Sequence, residues 1–199
     1  MNENTNDSSL ESLTLNNNNK SIINNNEKEK SRIIKIIAEL IKSICEEGKS
    51  NKDDTLLLVK PFISKKIPSI SIIDYIERLL KYSKVSDNLF IIALIYIDRI
   101  SRKHKINLNY YNIHKIILAS FICTIKFYED ECFPMNFYAK MGGITLKEIN
   151  SLEYEFLNLI DFKLFVDNDL FEKYNNNLRS LDFDEEDDFD IYDDSLDGC

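Results

Sequence analysis

Glycine and histidine are scarce in this sequence, with four glycines and two histidines among 199 residues. No GxxxxGK phosphate loop, GxSxG nucleophile turn or HExxH metal pair is present, so the catalytic frameworks built on those motifs are missing. His104 and His114 have no acidic or cysteine partner at ligand spacing, which argues against a metal site. The sequence therefore predicts a protein with no catalytic residue, metal or cofactor of its own.

Paired cysteines are also missing. Cys45, Cys123, Cys132 and Cys199 form no CxxC pair that would hold zinc, and Cys199 lacks the CaaX context of a prenylation site. Two of the four lie in or beside apolar runs, where reduced and buried thiols are expected. The start of the chain has neither an apolar core nor a basic lead for a secretory signal. We therefore expect a nuclear or cytoplasmic protein, or one that occupies both compartments.

Long apolar runs and a broad basic surface are absent too. The strongest apolar run, residues 89–97, is about half the ~20 residues that a bilayer requires, so no membrane association is expected. The net charge of −9 arises from the last 18 residues, 182–199, which hold ten acidic and no basic residues. The rest of the chain is nearly neutral and gives no general field for nucleic acid.

The two ends differ in composition from the middle. Residues 1–29 are rich in Asn and Ser, and such a segment cannot bury enough apolar area to offset chain entropy, so disorder is predicted there. Residues 30–62 are interpreted as a leading helix and linker, and residues 63–181 as the main domain. The acidic segment 182–199 is also predicted to be disordered, although its interleaved aromatic residues leave open an interaction or autoregulatory role.

Between the ends, apolar residues recur at helical spacing. The first such run continues from Ile33 to Ile44 and stops at Gly48, and others cover residues 69–82, 89–100, 112–127 and 145–160. Asp167 or Asp169 is expected to cap a last helix. The pattern predicts an all-α bundle of about five core helices with one further helix at each flank.

Residues 137–164 form the most informative segment. Gly142 and Gly143 are suited to the left-handed conformation that ends a helix, and Thr145 with Glu148 predicts a capping box for the next helix. That helix carries a core stripe. A second line runs beside the stripe and is either wider core or a face kept for a partner. The stripe is Leu146, Ile149, Leu152, Phe156 and Leu159, and the second line is Glu153, Leu157 and Ile160, leading into Phe162 and Leu164.

Three motifs resemble the cyclin box of the P-type (U-type, phosphate-pathway) cyclins. They are SISIIDYIERLLKYS at 69–83, ALIYIDRI at 93–100 and FYAKMGGITLKEINSLE at 137–153. The resemblance implies a single five-helix cyclin box with flanking N- and C-terminal helices. It further implies a non-catalytic subunit that binds and activates a cyclin-dependent protein kinase by packing on its regulatory C helix, in cell-cycle or nutrient-linked control. The alternative is a cyclin-fold adaptor or a transcription-factor-like binding module.

The resemblance also implies roles for particular residues. Lys126 and Glu153 match the Lys and Glu with which cyclins fasten the third and fifth box helices to the kinase. Asp98 in YIDR, Gly142 and Gly143 match structural positions of the box. Apolar side chains that line the pocket for the kinase C helix match Cys123, Phe127, Leu157, Phe162 and Leu164.

Two features depart from the wider cyclin pattern. Ser69 occupies the position of an Arg that pairs with the YIDR Asp in many cyclins, which leaves Asp98 to cap backbone or to pair with Arg99 or another base. Pro68 and Tyr75 occupy positions that dock substrate motifs in mitotic cyclins, so that docking groove is in doubt.

A basic cluster follows the C-terminus of the third helix, where the helix dipole favours cations, and an anion or substrate contact there stays open. The cluster is Arg99, Arg102, Lys103, His104 and Lys105.

Overall fold

The computed structural model describes residues 32–48 and 57–181, and every regular element within them is a helix. This confirms the all-α prediction. The predictions for residues 1–29, for the linker after Gly48 and for residues 182–199 fall outside the described residues. The elements are α1 (32–47), a 3-10 helix (Leu57–Phe62), α2 (Ile72–Ser83), α3 (Asn88–His104), α4 (Ile113–Tyr128), α5 (Met135–Gly142), α6 (Leu146–Leu159) and α7 (Asn168–Ser180).

Side-chain caps explain where three of the helices begin. Ser71 Oγ accepts the backbone N–H of Asp74 at 3.1 Å, so α2 begins three residues later than Ser69, its predicted start. Asp167 Oδ1 accepts the N–H of Leu170 at 2.8 Å, which selects Asp167 over Asp169 as the cap of α7. Thr145 caps α6 in the same way.

The capping box predicted at Thr145 is only half formed. Thr145 Oγ1 accepts the N–H of Glu148 at 3.2 Å, as expected. The Glu148 carboxylate instead pairs with Lys115 Nζ of α4 at 2.8 Å, because that ammonium lies opposite the first turn of α6. One end of α6 is therefore tied to α4 by an ion pair.

Helix α4 is the centre of the bundle. Its apolar side chains are buried on nearly all sides, and it contacts α2, α3, α5, α6 and the 3-10 helix. Two buried hydroxyls form hydrogen bonds with backbone carbonyls of the same helix: Ser120 donates to Ile117 O, and Thr124 donates to Ser120 O. The five core helices are α2 to α6, with α1 and α7 at the flanks. This is the predicted arrangement.

The two glycines of the α5–α6 turn have different functions. Gly143 has φ +71° and donates to the carbonyls of Ala139 and Lys140, so it alone takes the left-handed conformation predicted for the pair. Gly142 is still helical, and a Cβ there would lie 2.3 Å from Leu118 Cδ2 of α4. Gly142 therefore permits the close approach of α5 to α4.

The core stripe of α6 is confirmed at four of its five positions and is wrong at Leu146. Leu146 is 47% exposed because, at 100° per residue, it lies about a quarter turn from the centre of the stripe. Ile160, predicted for the second line, is buried instead; it follows the last residue of α6, so the turn after the helix places it and not the helical period. The stripe residues that are buried are Ile149, Leu152, Phe156 and Leu159.

Helix α7 is held to α3 by Asp98. Its carboxylate accepts a hydrogen bond from the Tyr174 hydroxyl at 2.6 Å and pairs with Arg102 Nε at 2.7 Å. The base that Asp98 pairs with is therefore Arg102 and not Arg99.

Among the described residues, no helix is both long and apolar enough to cross a membrane.

Candidate functional site

An inter-helix ion pair marks one surface of the bundle. Lys126, in the last turn of α4, and Glu153, in the middle of α6, are 27 residues apart in the chain, yet Lys126 Nζ lies 2.6 Å from Glu153 Oε1. Their side chains are 38% and 19% exposed. The packing of α4 on α6 thus presents both charges at the surface, and their contact with a kinase stays a prediction.

Exposed apolar side chains lie on the elements around this ion pair. Phe127 follows Lys126 and packs edge-on against Tyr128, with ring centroids 5.0 Å apart. Leu157 is one turn beyond Glu153 on α6 and is partly buried. Phe162 is 62% exposed. Monomeric proteins rarely expose several large apolar groups together unless a partner covers them.

The segment after α6, residues 160–166, follows a fixed path. Asp161 and Phe162 both have positive φ, 54° and 56°, which is uncommon for residues with a side chain. The turn is closed by hydrogen bonds from Phe162 N to Leu157 O at 2.9 Å and from Lys163 N to Ile160 O at 3.1 Å. It directs the Phe162 ring into solvent instead of into the core.

Two residues of α3 hold the backbone of this segment. Arg99 donates from Nη1 to Lys163 O at 2.9 Å, and from both terminal nitrogens to Phe165 O at 3.2 Å. The Tyr96 hydroxyl donates to Leu164 O. The Arg99 guanidinium lies 5.9 Å from the centre of the Tyr96 ring. Arg99 of the YIDR motif is therefore a positioning residue for the surface.

Helix α4 holds the same segment from the other side. The Tyr128 hydroxyl accepts the backbone N–H of Val166 at 2.9 Å and lies 3.5 Å from Leu164 O. Leu164, predicted for the surface, is partly buried beside these contacts. Segment 160–166 thus brings Phe162 and Leu164 to the surface formed by α4 and α6. We call this surface, including the segment, the α4–α6 surface. Its described residues are Lys126, Phe127, Tyr128, Glu153, Leu157, Phe162 and Leu164.

Cys123 does not line the surface, contrary to the sequence prediction. It is 2% exposed because it lies on α4 one turn before Lys126, where that helix is enclosed on nearly all sides. Burial, with a smaller contribution from Glu153, raises the pKa of the Cys123 thiol to about 12, so it stays protonated. Its contribution is to support the Lys126–Glu153 pair from beneath.

Phe165 was missed in the sequence, although its ring is 70% exposed. The signal was present, because an aromatic residue directly after Phe162 and Leu164 extends an apolar run beyond the end of α6. Helical periodicity does not continue past α6, so it could not decide on which side of the chain Phe165 lies. In the structure Arg99 binds the Phe165 carbonyl, and Phe165 lines a pocket together with Arg102 and Lys103 of α3.

The basic cluster at the end of α3 is largely engaged with the chain itself. Lys103 pairs with Asp161, and that hydrogen bond lowers the pKa of the Asp161 carboxyl. His104 Nε2 lies 2.8 Å from Leu159 O, near the carbonyl end of α6. Cations are favoured at such helix ends. The cluster therefore fastens α3 to the end of α6 and to segment 160–166.

The α4–α6 surface has the composition of a binding surface. It combines exposed rings with one ion pair. No group of three or more His, Cys, Asp or Glu side chains that could hold a metal occurs within residues 32–48 and 57–181. Aromatic residues are enriched in protein interfaces, whereas Lys and Glu are depleted, so the exposed rings are the feature typical of an interface.

The chain is similar to members of one protein family. A model of the cyclin family matches residues 7–164. The chain is 36% identical to Cyclin-U3-1 of Arabidopsis thaliana over 144 residues, which cover 70% of this chain and 65% of that protein. It is 31% identical to Cyclin-U4-1 of the same plant over 147 residues, which cover 72% and 73%. It is 34% identical to PHO85 cyclin-7 of Saccharomyces cerevisiae over 139 residues, which cover 64% and 49%.

The family model covers well over half of the sequence, and the chain therefore belongs to the cyclin family. Its similarity to U-type cyclins of Arabidopsis and to PHO85 cyclins of yeasts places it in the P-type (U-type) group, which confirms the resemblance read from the three motifs. Cyclins are regulatory subunits of protein kinases and are not themselves catalytic. The chain spans about half to two thirds of the length of most of the curated relatives it matches.

Proposed function

We propose that this cyclin binds a cyclin-dependent protein kinase through the α4–α6 surface and activates it by packing on the regulatory C helix of the kinase. The observation that supports the proposal most directly is the pair of exposed rings, Phe127 and Phe162, on the surface that carries the Lys126–Glu153 pair. Two relatives are named for PHO85, PHO85 cyclin-7 and PHO85 cyclin-like protein psl1. A kinase of that kind, acting in cell-cycle or nutrient-linked control, is the proposed partner.

The physical mechanism is a shift in the conformation of the kinase. A protein kinase needs an ion pair between a strand lysine and a C-helix glutamate to position ATP. A partner that binds only the conformation with this helix inward raises the population of the active form. The α4–α6 surface suits that task because segment 160–166 is fixed by Arg99 and Tyr128, so little ordering is needed when a partner binds.

The energetic roles of the two kinds of side chain differ. Aromatic anchors at the centre of an interface carry most of its binding energy. The Lys126–Glu153 pair is only partly exposed, and its charges need matching groups on the partner once water is excluded. We therefore assign affinity mainly to the rings, and orientation on the kinase mainly to the ion pair.

Exchanging the two charges tests the residue assignment. In the double variant K126E/E153K the pair within the chain is retained, whereas the field presented to a partner is reversed. We expect kinase binding and activation to fall by roughly tenfold or more, since a mismatched pair at an interface costs at least ~1.4 kcal/mol. The measurement is kinase activity in a reconstituted assay, together with pull-down and mass spectrometry to identify the partner.

The matched control is the double variant E39K/K42E on α1. Lys42 Nζ and Glu39 Oε2 lie 3.1 Å apart and are well exposed, so this exchange also retains an ion pair. We expect the control to bind and activate the kinase like the unaltered chain. Full activation by K126E/E153K would remove these two residues from the interface, and failure of the unaltered chain to capture any kinase would overturn the proposal as a whole.

A nucleic-acid-binding module is the alternative function, and its support would have to come from the basic cluster. The structure gives little support to that alternative, because Arg102 is paired with Asp98 and Lys103 is paired with Asp161. Salt-dependent binding to duplex DNA, measured in parallel with the pull-down, would reverse this preference if no kinase were captured.

A further inference from the structure

A second open surface lies on the other side of α3. A groove of about 660 Å³ runs between α1, α3 and α7. Its walls are mainly apolar, while the exposed cations Arg102 and Lys173 and the carboxylate of Asp98 also line it. We call it the α1–α7 groove. Apolar side chains that line it include Leu40 and Ile44 of α1, Leu94 and Ile97 of α3, and Leu170 and Leu178 of α7.

The described chain ends at this groove. Leu181, the last described residue, is one of the residues that line it, and residues 182–199 continue from that point. Eighteen residues reach at most about 60 Å when extended, which is far longer than the groove. A segment attached at the rim of a groove has an effective concentration in the millimolar range, so weak contacts are enough to hold it there.

The composition of residues 182–199 complements the groove. The segment holds ten carboxylates and no basic residue. These carboxylates are available for Lys173 and for the two terminal nitrogens of Arg102, since Arg102 pairs with Asp98 through Nε and no described contact uses the terminal nitrogens. Aromatic and aliphatic residues recur between the acids, starting with Phe183, only two residues after Leu181. The segment therefore carries both kinds of side chain that the groove can accept: apolar groups for its walls and negative charge for its rim.

We propose that the acidic segment 182–199 binds in the α1–α7 groove of its own molecule. Phe183 and the apolar residues that follow pack on the walls, and the neighbouring carboxylates face Arg102 and Lys173. The groove lies on α1 and α7 and is separate from the α4–α6 surface, so the proposal holds whether or not the chain binds a kinase.

The experiment uses the full chain with a spin label on Cys199. Cys45 and Cys123 are buried, so replacing the exposed Cys132 by serine leaves Cys199 as the reactive thiol. The label broadens the NMR signals of nearby methyl groups. We expect broadening at Ile44, Leu170 and Leu178, and much less at Ile144 in the turn between α5 and α6. The broadening should weaken as salt rises from about 0.02 M to about 0.5 M, because screening shortens the range of the charges.

Two sets of variants test the contacts. In the first, Asp182→Asn, Asp184→Asn, Glu185→Gln and Glu186→Gln are combined; in the second, Arg102→Gln and Lys173→Gln are combined. Each set should reduce the docked population about twofold or more, since an exposed charge contact contributes a factor of roughly 1.4 to 5. The first set leaves residues 32–181 unchanged, so it remains informative if the second disturbs α7. The matched control, Lys140→Gln with Lys147→Gln, neutralises two exposed lysines on α5 and α6 and should change nothing.

The outcomes are distinct. Broadening confined to the groove and reduced by both sets supports the proposal. Uniform broadening over the domain, or groove broadening that neither set changes, overturns it. A mixture of spin-labelled chain with isotopically labelled chain detects binding between molecules, and groove broadening that appears only in that form would assign the segment to a second copy instead.

Discussion

Single residues on the α4–α6 surface are held by their backbones, and their side chains are left for a partner. Phe162 is the clearest case, because its backbone N–H donates to Leu157 O at 2.9 Å while its ring is 62% exposed. An exposed ring contributes little to the stability of the free chain. Its removal should therefore affect binding without affecting the fold.

We predict that Phe162→Ala leaves the melting temperature within about 2 °C of the unaltered chain and weakens kinase binding by roughly tenfold or more, as expected for an interface anchor. Titration calorimetry with the captured kinase measures the affinity, and thermal unfolding measures stability. Tyr82→Ala, which removes a half-exposed ring from α2, is the control and should bind normally. Equal losses in both variants would show that Phe162 is not an anchor.

At the scale of elements, α7 depends on few contacts. Leu178 is its only fully buried residue in the described chain, and the Tyr174 hydroxyl makes its charge-assisted hydrogen bond to Asp98. Burial, assisted by that hydrogen bond to Asp98, raises the pKa of Tyr174 to about 12, so the hydroxyl remains a donor at neutral pH. The loss of this one bond should loosen the whole helix.

We predict that Tyr174→Phe lowers the free energy of unfolding by about 1 to 2 kcal/mol, or roughly 2 to 6 °C in melting temperature. Hydrogen exchange should accelerate across the amides of α7 before it does so in α4. Tyr154→Phe serves as the control, since Tyr154 is well exposed and no described contact uses its hydroxyl. Unchanged exchange in α7 would mean that apolar packing alone holds the helix.

Helices α4 and α6 show what the sequence could and could not predict. Apolar periodicity located α4 and the stripe of α6 because core packing imposes it at every turn. It placed Leu146 in the stripe although that residue lies about a quarter turn from the centre of the stripe. It placed Ile160 in the second line because Ile160 follows the last residue of α6, where the path of the chain, and not the helical period, decides burial. Arg102 as the partner of Asp98 was left open for a related reason, since several bases follow Asp98 and only the packed structure selects one.

The candidate site was predicted to a similar extent. Lys126, Phe127, Glu153, Leu157, Phe162 and Leu164 were named from the family resemblance, and the structure brings them to one surface. Cys123 was misplaced because a motif match specifies a position along a helix and not its exposure. The roles of Arg99 and Phe165 depend on hydrogen bonds to backbone carbonyls of a non-helical segment, which leave no periodic trace in the sequence.

At the scale of the whole molecule, the stability of the bundle should depend on pH through one buried histidine. His114 of α4 lies edge-on to Tyr75 of α2, with ring centroids 5.1 Å apart, and its Nε2 lies 3.1 Å from Ile70 O. That contact requires a proton on Nε2. Nδ1 is buried and has no hydrogen-bond partner among the described residues, so a second proton there would have no acceptor.

Burial lowers the pKa of His114 below its ordinary value of 6.5. Below pH 6.5 the unfolded chain therefore takes up a proton that the folded chain refuses, and the folded state loses stability as the pH falls. The free energy of unfolding can change by at most about 1.4 kcal/mol per pH unit through one titrating group.

We predict that chemical denaturation at pH 7 and at pH 5 will show this loss of stability in the unaltered chain and a smaller loss in His114→Phe, which keeps a ring against Tyr75 but cannot be protonated. At pH 8, where His114 is neutral in both states, the difference between the two proteins should no longer change with pH. Parallel curves from pH 8 down to pH 5 would contradict the assignment, since they would mean that His114 exchanges its proton equally in the folded and unfolded chain.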